Sequence, residues 1–293
     1  MPFDRLTATP AFLSSPVAAA LADPEPAQSG AVDVDGTSWP TLTWGDPADS
    51  PVLLVHGVTS NAGIWWRVAP ALAAAGRRVV AVDMPGHGRT DRTRSRSHRF
   101  ADTAAELTAF VRAAGLDVPA LAVVGHSWGG MVTAHLPAAG LRPRTLVLLD
   151  PPALTLERLR ALTEQETERD YATVEEAAEV VRAEYPGWCD GDVDAKARAL
   201  TEFNPQMVLN VLLKNGAWDA GMAALRDTRA QGIDAWLIRG EWKTGGLIPD
   251  SKVAAIERQL GEGHVITIAD APHSPQRTLP EATVLAILRA IGG

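Results

Sequence analysis

The sequence predicts a three-layer α/β/α protein: a doubly wound, mostly parallel sheet with helices on both faces. Three observations carry that expectation. Short, largely apolar runs recur at residues 52–55, 78–82, 120–124, 145–149, 234–238 and 264–268, as suits strands covered on both faces. Helix-like segments separate them through short connections, which is the alternation of a parallel sheet. Glycines and acids gather just past the runs, as in His56-Gly57, Asp83 to Gly88, Gly125 to Gly130 and Asp150-Pro151. Open sheets of this kind collect their binding groups at those strand ends.

The elements follow in order. Residues 1–30, rich in Pro and Ala, read as an N-terminal arm, with a short helix over 11–21 lying across the mouth of the site. The Ala-rich stretch at 17–22 is short, flanked by Pro16 and Pro24, and lacks a basic start, so it does not read as a signal peptide. Residues 32–34 and 42–44 alternate around Asp35-Gly36, which suggests an antiparallel hairpin at a sheet edge, interrupted by Trp39-Pro40. After the 52–55 strand comes a glycine-containing loop, then a helix over 65–75 that Gly76 ends. A basic, polar loop at 89–99 follows the next strand. Residues 100–114 are amphipathic, with Ala104, Leu107 and Val111 on one stripe. A helix over 130–136 follows the strand at 120–124 and stops near Pro137.

The alternation breaks at 153–231, where no buried strand is readable. Helical stretches at 156–170, 174–184, 194–202 and 205–215 mark this span as a helical cap inserted into a core of 31–152 and 232–293. Its Tyr171, Tyr185, Trp188, Phe203, Met207 and Trp218 are core or docking residues, one or two of them facing a pocket. The core resumes with the 234–238 strand, a helix over 251–260, the 264–268 strand and a closing helix over 279–291.

Composition narrows the function. A chain of 293 residues, 46% hydrophobic, can bury a large core. A net charge of -8 argues against a nucleic-acid partner, which wants a basic footprint. Cys189 is the single cysteine, so no internal disulfide forms. No apolar run reaches membrane-spanning length. A cytoplasmic location and a small-molecule substrate are expected; a homodimer is one open oligomeric state. The seven histidines are scattered, and no zinc, dinucleotide or phosphate-loop motif is present, so no metal and no cofactor is expected.

The chemistry centres on Gly125-His126-Ser127-Trp128-Gly129. A serine between glycines at a strand-to-helix junction is a nucleophile elbow, which presents the hydroxyl above the sheet. A serine hydroxyl needs a base, and the base needs an acid to orient it. His273, in the loop after the last strand, is the candidate base. Asp150, at the end of its strand, is the first candidate acid; Glu241 is the second and Asp270 a further alternative. His56, His87 and His126 lie by glycine-rich turns and are read as loop-holding. The negative charge of a tetrahedral intermediate needs preorganised donors. The backbone N–H groups of Trp128 and Val58 stand at the positions for them.

Taken together, His56-Gly57-Val58, Asp83-Met84-Pro85-Gly86-His87-Gly88, the elbow and Pro272-His273 make the chain resemble the α/β-hydrolase fold superfamily, in its serine-nucleophile branch with a helical cap. The resemblance implies an eight-stranded, mostly parallel sheet, Ser127 as nucleophile, His273 as base, and Val58 and Trp128 as oxyanion donors. Many relatives carry the acid where this chain has Lys243; others take it from the position of Asp150. A serine at the elbow sets the chain apart from the branches that use aspartate there. The expected activity is hydrolysis of a carboxylic ester or lactone through an acyl-enzyme. Hydrolysis of carbon–carbon bonds in diketone-like substrates and a non-catalytic binding role are the alternatives, the last motivated by Lys243. Trp65, Trp66, Trp128 and Trp242, near the elbow, hint at an apolar substrate.

Overall fold

The computed structural model of the chain describes residues 4–6, 13–90, 97–163 and 169–292. Parts of several expected segments lie outside the described residues: 1–3 and 7–12 of the arm, 91–96 of the basic loop, 164–168 of the first cap helix, and Gly293.

The strands are β1 (Asp4–Leu6), β2 (Gln28–Val34), β3 (Thr37–Trp44), β4 (Ser50–Val55), β5 (Arg77–Val82), β6 (Ala122–His126), β7 (Thr145–Leu149), β8 (Asp234–Arg239) and β9 (Val265–Ile268). They form one nine-stranded sheet in the order β1-β9-β8-β7-β6-β4-β5-β3-β2. The eight expected strands are all present. The ninth, β1, pairs in parallel with β9 inside the segment expected to be an arm. Three residues are too few to show a period, so only the pairing reveals this strand. β2 and β3 form the antiparallel edge hairpin, turning through Asp35 and Gly36 at φ 50° and 74°, as a tight two-residue hairpin demands. β3 runs through Pro40 without a break, because the ladder to β5 begins only at Thr41↔Val82.

The pleat sorts each strand between two cores. Leu53, Val55, Leu146 and Leu148 face one side; Val52, Leu54, Val147 and Leu149 face the other. The first side is covered by α3 (Phe100–Ala113), α4 (Trp128–Ala134) and α9 (Asp250–Leu260). The second is covered by α2 (Val68–Ala74) and α11 (Pro280–Ile291). α1 (Ser15–Ala22) also packs on this second side, against α2 and α11, with Val17 and Leu21 buried. It therefore does not lie across the mouth of the site, because its apolar residues are drawn into that core instead. The helix expected over 65–75 is divided into a 3₁₀ turn, Ala62–Trp65, and α2.

The insertion between β7 and β8 carries α5 (Leu156–Leu162), α6 (Val174–Glu184), α7 (Asp190–Thr201) and α8 (Pro205–Leu213). α7 begins at Asp190, ahead of the expected 194. The reason is tertiary. Gly191 lies against the Trp66 ring, where a Cβ would stand 2.5 Å from a ring carbon. Asp192, 1% exposed, accepts a 3.0 Å bond from Trp66 Nε1 and pairs with Arg67. After β9 a one-turn helix, α10 (Pro275–Thr278), precedes α11.

Candidate active site

β6 and α4 meet at Ser127, which has φ 54° and ψ −123°. A non-glycine residue at positive φ is strained and persists only where its surroundings hold it. Here they do. The Ser127 N–H donates to the Leu149 carbonyl at 2.9 Å, stitching the turn to β7. The neighbouring glycines leave room for the sharp bend. A Cβ on Gly125 would stand 2.5 Å from the Gly129 carbonyl oxygen, and one on Gly129 would stand 2.4 Å from that of His56.

A continuous hydrogen-bonded chain runs from this serine. Ser127 Oγ lies 3.0 Å from His273 Nε2, and His273 Nδ1 lies 2.8 Å from Asp150 Oδ2. The Asp150 carboxylate is fully buried. It also accepts from the Gly240 N–H at 3.1 Å and the Leu247 N–H at 3.0 Å, so its orientation is fixed from three sides. His273 Nδ1 therefore carries the proton and Nε2 is left to accept from the serine hydroxyl.

Glu241 stands elsewhere. Its Oε2 accepts from the Asp270 N–H at 3.0 Å and pairs with Lys243 Nζ at 3.1 Å. Lys243 also reaches Asp270 at 3.2 Å. Those two partners, Glu241 first, raise the Lys243 ammonium above its ordinary value. Glu241, Asp270 and Lys243 are thus brought together at the loop surface, while Asp150 meets His273.

Trp128 follows the serine directly in the chain, and Val58 belongs to the loop after β4. Trp128 is the first residue of α4, where a helix leaves its N–H groups without an internal acceptor. Val58 lines the same cavity as Ser127. Gly57 comes so close to the elbow that a Cβ there would stand 3.1 Å from Ser127 Cβ.

Three buried histidines surround this centre. His56 Nδ1–H donates to the Gly57 carbonyl at 2.8 Å, and its Nε2 accepts the Met84 N–H at 3.0 Å. His126 Nε2–H donates to the His273 carbonyl at 2.9 Å, which ties the His273 loop to the elbow. His87 stacks on Trp128 with ring centroids 5.0 Å apart. Burial lowers the pKa of all three below the ordinary histidine value, His87 and His126 strongly. At His126 the neighbouring His273 lowers it further. The neutral rings serve as fixed hydrogen-bonding and packing groups.

Above Ser127 and His273 opens a cavity of about 610 Å³. Its aromatic walls come from the insertion: Tyr185, Trp188, Phe203 and Trp218. The four tryptophans near the elbow do not line it. Trp65 and Trp128 are wholly buried in the core, Trp66 docks α7, and Trp242 is 48% exposed. One cavity residue had no distinguishing sequence signal. Lys196 lies in a charged helical stretch, yet it is buried in the cavity wall at 6% exposure. Among the described residues, no cluster of His, Cys, Asp and Glu is placed to hold a metal ion. No helix among them is long and apolar enough to cross a membrane.

Comparison with known proteins agrees with this fold. The family model described as the alpha/beta hydrolase fold matches residues 50–240. Lipase LipV of Mycobacterium tuberculosis is 30% identical over 269 residues, which span 84% of this chain and 95% of the lipase. Among solved structures, E-2-(acetamidomethylene)succinate hydrolase superposes with a TM-score of 0.76 at 21% identity, over 91% of this chain and all of that one. The esterase RhEst1 of Rhodococcus sp. ECU1013 gives a TM-score of 0.70 at 21% identity, over 92% of this chain and 99% of the esterase.

Proposed function

The chain belongs to the α/β-hydrolase fold family, and from that premise we propose that it is a serine-dependent hydrolase of carboxylic esters or lactones with an apolar small-molecule body. The observation that carries this reading is the Ser127–His273–Asp150 hydrogen-bonded chain, whose serine and histidine line a largely apolar cavity. Ser127 is the nucleophile, His273 the base and Asp150 the acid. Ser127 Oγ attacks the carbonyl carbon as its proton passes to His273 Nε2. The Asp150 carboxylate holds the ring through Nδ1–H and stabilises the imidazolium. The carbonyl oxygen, now negative, is met by the N–H groups of Val58 and Trp128. His273 then returns the proton to the leaving alkoxide, and the acyl group stays on Ser127. Water, deprotonated by the same histidine, releases the acid in a second round of the same steps. The similarity to a lipase over most of the chain, and of the fold to an esterase, agrees with ester chemistry.

The arrangement around Lys243 supports the catalytic reading over a non-catalytic one. That side chain is engaged by Glu241 and Asp270, and the carboxylate facing His273 comes from Asp150 instead.

The test is hydrolysis of a chromogenic ester series from acetyl to decanoyl, with wild type beside Ser127→Ala. Turnover that vanishes in the variant is expected, with a chain-length optimum set by the cavity. A folded wild type that labels with a fluorophosphonate at Ser127 yet hydrolyses no ester in the series would redirect the substrate to a bulky lactone or a diketone. Undiminished turnover in Ser127→Ala would overturn the serine mechanism.

A further inference from the structure

We propose that Lys196, on the inserted helix α7, is a positioning residue for the oxyanion loop: it holds Thr59 in a left-handed conformation and thereby aims the adjacent Val58 N–H beside Ser127. The proposal rests on the serine-hydrolase reading above and names what aligns one of its donors.

Thr59 follows β4 in the core and stands 137 positions before Lys196 in the chain. Lys196 Nζ donates to the Thr59 carbonyl at 3.1 Å and to Thr59 Oγ1 at 3.0 Å. Thr59 Oγ1–H in turn donates to the Val58 carbonyl at 2.6 Å. One ammonium thus grips a residue by its backbone and its side chain, and that side chain grips the residue before it. The grip has something to hold. Thr59 has φ 56°, and a β-branched residue in that region is a conformational outlier. Strain of this kind survives only where neighbours over-determine it. Thr59 is 1% exposed and Lys196 6%, so both partners are largely shielded from bulk solvent.

The platform beneath Lys196 is firm. One turn before it, Asp192 binds Trp66 Nε1 at 3.0 Å and pairs with Arg67. Just past the end of α7, Glu202 accepts from Asn61 Nδ2 at 3.1 Å. Helix α7 is therefore fastened at both ends to the stretch that follows β4, with Lys196 between. A donor acts on a developing oxyanion only if it is already aimed when the charge appears. Residues 57–59 cannot supply that aim by local preference, since Thr59 disfavours the conformation it holds. The insertion supplies it.

The experiment uses a neutral chromogenic ester, a carboxylate-bearing ester of the same alcohol, and a trifluoromethyl ketone that mimics the tetrahedral state. Lys196→Met should lower kcat on both esters by about 10-fold or more and weaken the ketone in step, with KM held within about 3-fold, as loss of aim at one oxyanion donor predicts. Lys196→Gln keeps a donor and should recover part of kcat; it also serves if Lys196→Met fails to fold, which thermal melting reveals. Glycine adopts positive φ freely, so in a Thr59→Gly background Lys196→Met should reduce kcat by less than about 3-fold. Three results would each overturn the proposal. The first is an unchanged kcat. The second is a KM increase confined to the carboxylate-bearing ester, which would make Lys196 a substrate-binding cation. The third is a full-sized loss persisting in the Thr59→Gly background. Ser127→Ala keeps the two readings apart: if it retains wild-type turnover, the serine mechanism fails whatever Lys196 does.

Discussion

At the scale of single residues, the informative comparison is between two carboxylates. Asp150 and Glu241 both stand just past strand ends, and both are buried. Asp150 spends one oxygen on the Gly240 N–H and shares the other between Leu247 and His273. Glu241 instead holds the Asp270 backbone and Lys243. An amide at 150 presents a donor where an acceptor is needed, so it favours the wrong tautomer of the histidine. Asp150→Asn should therefore lower kcat on the order of 10³–10⁴-fold, by analogy with triad acids generally. Glu241→Gln should leave kcat within about 3-fold, because no reacting atom depends on it. Steady-state kinetics with both variants checks the pair, and the reverse ranking would hand the acid role to Glu241. From sequence, strand-end position made both residues candidates. It could not say which one the histidine would find.

At the scale of elements, the elbow is a junction whose glycines are required by packing rather than by dihedral angle. Gly129 sits inside a helix with ordinary φ, yet a Cβ there would stand 2.4 Å and 2.7 Å from the carbonyl oxygens of His56 and Val55. Backbone of a central strand cannot step aside as a flexible side chain can. Gly129→Ala should destabilise the fold by about 3 kcal/mol or more, as overpacking against fixed atoms does. Gly187, in the insertion, has open space around its Cβ position, so Gly187→Ala should stay within about 0.5 kcal/mol of wild type. Urea unfolding of both variants tests the contrast. Equal stabilities would mean that β4 and α4 separate more easily than their contacts suggest. The same elements show where sequence patterns lose their grip. Strands β4, β6 and β7 are solid apolar runs and are readable. α7 starts earlier than its local pattern, because Asp192 is held by Trp66 and Arg67.

At the scale of the whole molecule, three buried histidines couple stability to pH. Burial holds His56, His87 and His126 below their ordinary value of 6.5 in the folded chain. The unfolded chain regains that ordinary value and takes up protons first as the pH falls. The stability they contribute is therefore complete above about pH 6.5 and is lost on acidification toward their lowered folded values. Within that window each histidine removes up to about 1.4 kcal/mol per pH unit. Urea midpoints should thus fall steadily from pH 7 to pH 5, and His87→Phe should flatten part of that slope. Midpoints independent of pH across this range would show that the rings are protonated or solvated in the folded state.

The sequence by itself determined the layers, the eight main strands, the place of Ser127 and His273 at strand ends, and the helical nature of the insertion. These follow from periodicity, glycine spacing and chain order, which are local properties. Tertiary structure alone decided the rest. The short β1 exists through pairing with β9. Asp150 meets His273 because β7, β8 and β9 lie side by side in the sheet. The cavity takes its aromatic wall from the insertion rather than from the tryptophans near the elbow. Lys196 reaches Thr59 across 137 positions of chain. A hydrogen bond between distant residues leaves no repeat in the sequence, since its strength depends on a distance that only folding sets.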